Sequence, residues 1–321
     1  MRRVPVLACL GGLIVAAGML LASSLETMGQ ERANGDYEVD RTPWGDPDLQ
    51  GVWDQTTGTP LERALEYSDR EFISDEEAVL REEKRFSGFD NPDRGPRNPT
   101  GDYGSVWREG SKNSLTRTSL IVDPPNGRIP ALTPLGLDAQ EQRESVKASR
   151  GPADSWTDRG LWERCMTRGT PRIPNNYNSN WHILQTPTHV VIHQEMIHEN
   201  RIIPIDGRQG LGSDIVQWNG VSRGHWEGDT LVVEISQFND QQRMRGGFPL
   251  NTATVVERFR RVGENDLDYE FTVNDPDQFT KPWTVSLPLI KGTRYFEYAC
   301  HEGNYGMTNI LSGHRAEEEG K

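Results

Sequence analysis

The sequence predicts a mainly β protein in which an antiparallel meander of strands closes as a lipocalin-like barrel, with a β-sandwich as the alternative. Two observations favour this fold class. In the C-terminal half, segments such as residues 267–273 alternate strictly between apolar and polar residues, as half-buried strands do. The connections between these segments, among them residues 227–229 and 263–266, are short and turn-like, which is typical of hairpins.

The first thirty residues indicate export. A basic start at Arg2 and Arg3 precedes an apolar run over residues 6–22, which is the order of a signal peptide. Because the run is near the lower length limit for crossing a bilayer, an uncleaved N-terminal anchor is the alternative for residues 1–30. We therefore expect a periplasmic or secreted protein that meets the membrane only through this segment, if at all.

Residues 31–115 are acidic and rich in turn formers, which predicts an extended, loop-rich arm that docks through Trp44 and Trp53. Ser74 and Glu77 have the spacing of a capping box, so a short helix is expected at about residues 75–85. Thr133 followed by Pro134 predicts the start of a second surface helix, which ends near residue 149.

Residues 116–315 are predicted to form the antiparallel β domain, and residues 316–321 an acidic tail. The strands are expected at residues 119–123, 180–186, 188–196, 201–205, 214–219, 230–235, 254–261, 267–273, 283–289 and 294–300.

Charge and cysteine content narrow the function classes. The net charge of −13 disfavours nucleic acid and anionic lipid as partners. Outside the leader only Cys165 and Cys300 remain, and two cysteines in an oxidising compartment usually form a disulfide. Two buried free thiols, or two thiolate ligands of a metal, are the alternatives.

The first candidate site comprises Glu195, His198, Arg201 and Asp206. A Glu–His pair can act as general base and general acid if burial tunes both pKa values, and an arginine can hold an anionic group. The alternative is a structural hairpin in which Arg201 and Asp206 are paired within the fold.

The second candidate site follows the last predicted strand and contains His301, Glu302, Asn304 and Tyr305. Loops that a rigid sheet positions often bind ligands, and a disulfide at Cys300 would preorganise this segment. The alternative is that the disulfide and a tight turn alone explain these residues.

Arg223 is a further candidate for binding an anionic group, whereas its neighbour Trp226 is better explained by core packing. His189 and His193 would share one face of a strand, and with Glu302 they could hold a divalent metal. The sequence has no dedicated metal motif, so the prediction is no cofactor, with a divalent metal as the alternative.

The chain resembles a large group of exported bacterial proteins of unassigned function. The resemblance is carried by segments that touch most of the mature chain, and it implies export but no reaction. His189 and His193 stand where other residue types are expected in that group, which lowers their standing as site residues. The segments are Trp44-Gly-Asp-Pro-Asp-Leu-Gln-Gly-Val-Trp53, Glu195-Met-Ile-His198, Arg201-Ile-Ile-Pro-Ile-Asp206, Arg223-Gly-His-Trp-Glu-Gly-Asp-Thr-Leu-Val-Val233 and Phe296-Glu-Tyr-Ala-Cys-His-Glu-Gly-Asn-Tyr-Gly306.

The leading hypothesis is an exported barrel that binds a small organic molecule and could act as a cofactor-independent acid–base enzyme for hydration, elimination or isomerisation. Whether it is an enzyme stays open at this point. One alternative is a non-catalytic protein for ligand binding or envelope interactions, and another is a metal-dependent hydrolase or lyase. The sequence has no nucleophile elbow, phosphate loop or dinucleotide fingerprint, which disfavours serine hydrolysis and nicotinamide chemistry.

Overall fold

A computed structural model describes residues 37–87, 115–174, 177–244 and 247–320. The predicted signal peptide or anchor at residues 1–30 lies outside them. No helix in these four ranges combines the length and the apolarity that a bilayer crossing requires.

The described residues contain eleven strands and three α-helices. The strands are β1 Gly51–Asp54, β2 Ile121–Asp123, β3 Asn180–Gln185, β4 His189–Gln194, β5 Glu199–Pro204, β6 Val221–Glu227, β7 Thr230–Ser236, β8 Thr254–Arg261, β9 Asp266–Asn274, β10 Trp283–Ser286 and β11 Leu289–Lys291. The helices are α1 Asp75–Ser87, α2 Pro134–Ala148 and α3 Gly306–Glu319.

All strands belong to one antiparallel sheet that is nearly closed. Its order is β5-β4-β3-β1-β11-β9-β8-β7-β6, and β10 joins β2 to β9 beside this path. The end strands β5 and β6 approach within 8 Å between Cα atoms. Gly224 permits this approach, since an added Cβ would lie 2.9 Å from the Ile203 Cγ2 atom. The predicted antiparallel barrel is therefore confirmed in a nearly closed form.

The interior of the sheet is filled by large side chains. Alternate residues of β9 are buried, as the sequence pattern predicts, and they include Tyr269 and Phe271. The ring centroid of Tyr269 lies 5.0 Å from that of Trp181 and 4.8 Å from that of Phe259. The inner face thus forms a packed aromatic core.

The N-terminal arm contributes a strand to this sheet. β1 pairs with β3 on one side and with β11 on the other, so it lies within the sheet order. Trp53 in β1 is buried, and its indole Nε1 donates to the Leu49 carbonyl. Trp44 is 37% exposed and bonds to Asp46 instead. Of the two indoles, only that of Trp53 is buried.

Both predicted helices are present, and their N-termini have the predicted chemistry. Ser74 and Glu77 form the reciprocal capping box before and within α1. Thr133 accepts from the Gly136 amide at the start of α2, with Pro134 in the first helical position. α2 lies on the surface as predicted, because Gly136 is its only buried residue.

Four local predictions are wrong. The strand expected at residues 283–289 is divided into two strands, β10 and β11. Residues 214–219 form turns with a single parallel bridge from Gln217 to Phe238 rather than a strand. Residues 294–300 have no ladder, because side chains such as Glu195 bind their backbone instead. The predicted acidic tail at residues 316–321 lies mostly within the third helix, α3, where alanine and glutamate are good helix formers and Arg315 pairs with Glu318.

A buried ion pair crosses the interior. Arg201 on β5 donates from Nη2 to Oε2 of Glu257 on β8 at 2.6 Å, and both side chains are buried. The Tyr269 hydroxyl donates to the other carboxylate oxygen at 2.6 Å. Burial and the Glu257 charge raise the pKa of Tyr269 well above its usual value, so the phenol stays protonated and can donate. The interior is therefore not purely apolar.

We expect Arg201→Ala to lower the free energy of unfolding by about 3–5 kcal/mol, because it leaves the Glu257 carboxylate buried and unpaired. Urea denaturation of both proteins measures the difference. Arg208→Ala is the control, since its pair with Asp206 is on the surface and should contribute little. Equal midpoints for the two variants would contradict the role given to the buried pair.

Candidate functional site

Glu195 is fully buried after the end of β4. Its Oε2 accepts from Asn180 Nδ2 at 2.8 Å, and its Oε1 accepts from the backbone amide of Phe296 at 3.0 Å. The carboxylate therefore fastens the segment of residues 294–300 to the barrel. This geometry indicates a structural role, because both carboxylate oxygens of Glu195 accept hydrogen bonds from N–H donors.

His198 holds the same segment from the surface. Its Nδ1 lies 2.8 Å from the Tyr298 carbonyl oxygen. Because a carbonyl can only accept, Nδ1 must carry the proton. The structure thus brings the two predicted sites next to each other, through contacts with the backbone of residues 296–298.

The four predicted catalytic side chains do not meet in this structure. His301 and Glu302 are exposed. Among the described residues, the side chains of Glu195, His198, His301 and Glu302 form no hydrogen bond or ion pair with one another, and only the His198 amide donates to the Glu195 carbonyl, at 3.1 Å. His301 lines a cavity of about 340 Å³ whose lining also includes Trp156, Arg164 and Asn304.

The predicted disulfide between Cys165 and Cys300 is present. Asn304 lies against it, with its Nδ2 atom 3.3 Å from the Cys165 sulfur. Tyr305 is 72% exposed and precedes α3. The disulfide therefore fixes residues 294–300 to the loop around residue 165.

The predicted ligand-binding residues have protein partners. Arg201 pairs with Glu257 inside the barrel, and Asp206 pairs with Arg208 at 2.5 Å on the surface. Both side chains are therefore paired within the fold, as the structural alternative predicts. Arg223 donates from Nη2 to the Gln209 carbonyl at 2.6 Å, and its neighbour Trp226 packs against the core as predicted.

His189 and His193, the histidines proposed as metal ligands, do not belong to the group of side chains that the structure places close enough to hold a metal ion. His189 and His193 do share the outer face of β4. Among the described residues, the group of three side chains close enough to hold an ion is Asp154, His314 and Glu318. Their ligand atoms lie within 4.8 Å of one another, at a contact between α3 and the loop after α2.

A cavity of about 750 Å³ lies at the loops around residues 157–173 and 241–244 and the last turn of α2. We call it the basic cavity, because its lining includes five basic side chains and one acidic side chain. The basic residues are Lys147, Arg159, Arg164, Arg168 and Arg243, and the acidic residue is Asp158. Trp162, Leu161, Ile173 and Met244 supply apolar surface in the same lining.

Local contacts hold the wall of the basic cavity in place. Asp158 accepts from the Ser155 amide and pairs with Arg150 at 2.5 Å, which fixes the short 3₁₀ helix at Trp156–Asp158. Arg172 is buried, and its guanidinium donates to the Gln194 side chain and to the Asn178 carbonyl. Burial lowers the pKa of Arg172 to about 9, so it stays charged at neutral pH.

Several cations in the cavity have no carboxylate partner. Arg159 pairs with Glu163 at 2.5 Å. The Arg164 guanidinium instead lies 4.5 Å above the Trp156 ring, and Arg243 donates to backbone carbonyls. Within the described residues, no ion pair within 4.0 Å involves Lys147, Arg164 or Arg243.

Gln242 presents an unsatisfied amide to this cavity. It is only 1% exposed, and neither Nε2 nor Oε1 has a hydrogen-bond partner among the described residues. An added Cβ on Gly169 would lie 2.6 Å from Nε2, so a glycine there leaves room for the amide. Gln242 is therefore a buried amide beside the cavity whose hydrogen bonds are not made by the described residues.

A carboxyl group lies behind the cavity wall. Thr167, which lines the cavity, donates from Oγ1 to Oε2 of Glu199 at 2.9 Å. Asn219 donates from Nδ2 to the other oxygen. Burial raises the pKa of Glu199 above its usual value, although these hydrogen bonds and the charge of Arg172 act in the opposite direction.

We expect the stability of the wild type to fall, relative to Glu199→Gln, as the pH rises. The pKa of Glu199 is higher in the folded state than in the unfolded state. The protonated carboxyl group therefore contributes its full stability below the unfolded-state pKa of about 4.3, and this stability is lost as the pH rises through the folded-state pKa. Guanidinium denaturation of both proteins between about pH 4 and pH 8 measures the difference. A difference that stays constant across this range would contradict the raised pKa.

Sequence reasoning missed the basic cavity, including Gln242 and Glu199. One signal was available, because arginines recur at positions 159, 164, 168 and 172 in a chain of net charge −13. Gln242 and Lys147 come from distant segments, and no local pattern connects them to these arginines.

Comparisons with known proteins give little further guidance. No family model matches the chain, and no curated protein matches it. Among solved structures, the chain is similar to a secretary abundant heat soluble (SAHS) protein from Ramazzottius varieornatus, at 10% identity and a TM-score of 0.25. The match covers 37% of this chain and 74% of that chain. A likeness at this TM-score carries no argument about fold or function.

Proposed function

We propose that this protein binds a small organic anion in the basic cavity and does so outside the cytoplasm. The observation that carries the proposal is the gathering of five basic side chains around one cavity in a chain of net charge −13. Cations gathered on low-dielectric walls focus the local field and attract anions, even where the whole molecule is acidic.

The cavity has the size and chemistry of a small-molecule site. A volume of about 750 Å³ lies within the usual range for such ligands. Arginine recognises carboxylate and phosphate groups through paired N–H donors, and none of the described carboxylates forms an ion pair with Arg164 or Arg243 that a ligand would have to displace. Gln242 adds one donor and one acceptor beside them, which would suit a hydroxyl or amide near the anionic group.

The export part of the proposal draws on the N-terminal sequence and on the disulfide. A disulfide is typical of an oxidising compartment, and the basic start with its apolar run has the order of a signal peptide. Membership of the exported bacterial group that the motifs resemble is part of the same proposal. Acid–base catalysis is not part of the proposal, since the four predicted catalytic side chains form no hydrogen bond or ion pair with one another among the described contacts.

We expect Arg243→Gln to weaken the binding of benzoate and phenyl phosphate about tenfold, because a charge-assisted hydrogen bond contributes about 1.5–3 kcal/mol. Isothermal titration of the wild type and the variant measures this. Benzamide and benzyl alcohol, which are neutral, should bind at least about tenfold more weakly than benzoate.

Arg260→Gln is the matched control, because it makes the same change of charge on an exposed residue of β8 away from the cavity. It should change the affinity for benzoate by less than about twofold. The proposal fails if the neutral and anionic ligands bind equally, or if the two glutamine variants have the same effect.

A further inference from the structure

A second cavity adjoins the basic cavity. It has a volume of about 1000 Å³, and we call it the helix cavity, because one face of α2 forms a wall. The linings of the two cavities share Lys147, Thr157, Asp158 and Arg243. Because both linings include Arg243, a ligand held by Arg243 lies at the boundary between the two cavities.

The α2 wall of the helix cavity carries an apolar stripe. Leu135, Ala139 and Val146 line it, and their spacings of four and seven residues put them on one face of the helix. Leu135 and Val146 are 58% and 61% exposed, so this stripe faces open space rather than the core. Pro152 and Pro249 supply further apolar surface in the lining.

α2 is held to the barrel at another point. An added Cβ on Gly136 would lie 2.5 Å from the backbone oxygen of Gln278, so the helix backbone approaches that loop directly. Thr133 also donates from its hydroxyl to the Asp277 carbonyl. The apolar stripe is therefore not needed to attach α2, and it is free to contact a ligand.

Given the proposed function, we infer that the ligand is an amphiphilic organic anion. Its carboxylate or phosphate lies in the basic cavity beside Arg243, and its apolar body lies along α2 against Leu135, Ala139 and Val146. The charge distribution selects this orientation. The basic cavity is lined by five basic side chains and one acidic side chain, whereas the helix cavity is lined by four basic and three acidic side chains. The anionic group is therefore favoured in the basic cavity.

The test is a series of monomeric carboxylates of increasing length: butanoate, octanoate and dodecanoate, each titrated below its critical micelle concentration. Affinity should increase up to about fourfold for each methylene that leaves water. Arg243→Gln should weaken all three ligands, because it acts on the shared anionic group.

Leu135→Gln and Leu137→Gln form a matched pair. Both leucines lie early in α2 and are similarly exposed, at 58% and 56%, but only Leu135 is in the cavity lining. Leu135→Gln should weaken dodecanoate about five- to tenfold and leave butanoate unchanged, whereas Leu137→Gln should leave both unchanged. Circular dichroism and thermal unfolding of both variants confirm that α2 is intact.

The outcomes separate this inference from the proposed function. If butanoate and benzoate bind with sensitivity to Arg243→Gln but longer chains bind no better, the amphiphilic ligand is wrong and the anion site stands. If none of the anions binds, both are wrong. Binding to phosphatidylglycerol vesicles without binding to monomeric carboxylates would also overturn the inference, because it would indicate a membrane surface as the partner.

Discussion

The disulfide between Cys165 and Cys300 is the constraint on which the basic cavity depends. It joins two segments that lack a strand ladder, the loop around residue 165 and residues 294–300. The two cysteines are 135 residues apart in the sequence. Closing a loop of that length lowers the entropy of the unfolded chain, which stabilises the fold by about 4–5 kcal/mol at most. Without it, the cavity wall would depend on side-chain contacts and on local backbone hydrogen bonds such as that from the Met166 amide to the Leu161 carbonyl.

Those side-chain contacts act on the two ends of the disulfide. Glu195 and His198 bind the backbone of residues 296–298, just before Cys300. Arg172 and Glu199 act on the other end, since they hold the residues after Cys165 against β4 and β5. Glu195 and His198, two of the four residues that the sequence indicated as catalytic, therefore act on the site indirectly, because they fix the segment that the disulfide joins to the cavity wall.

The sequence predicted the elements whose signal is local. Alternation in β7 and β9 reports burial on one face, and the Ser74 and Glu77 capping box needs only three residues of spacing. The prediction failed at residues 294–300, where a segment rich in aromatic residues forms no ladder and one of its amides donates to Glu195 instead. Whether a segment finds a ladder partner is a tertiary property, and alternation alone does not report it.

The candidate site was less predictable than the fold for the same reason. The disulfide could be predicted from cysteine count and compartment, and it holds. The basic cavity is assembled from the end of α2, the loop at residues 157–173 and the turn at residues 241–244, so its charge excess is invisible in any one segment. Gln242 illustrates this limit of sequence analysis. Its buried side-chain amide has no hydrogen-bond partner among the described residues, and the sequence does not show this.

The packed interior explains why a barrel of this kind would bind its ligand on the outside. Trp181, Phe259 and Tyr269 fill the inner face, and the Arg201 and Glu257 pair crosses it. A charged ligand entering there would have to displace aromatic packing and compete with that ion pair. At about 0.1 M salt the Debye length is about 10 Å, so most of the acidic surface is screened from a ligand at the basic cavity. Under the proposed function, the local excess of arginine selects the charge of the ligand, and the adjoining apolar wall selects its apolar body.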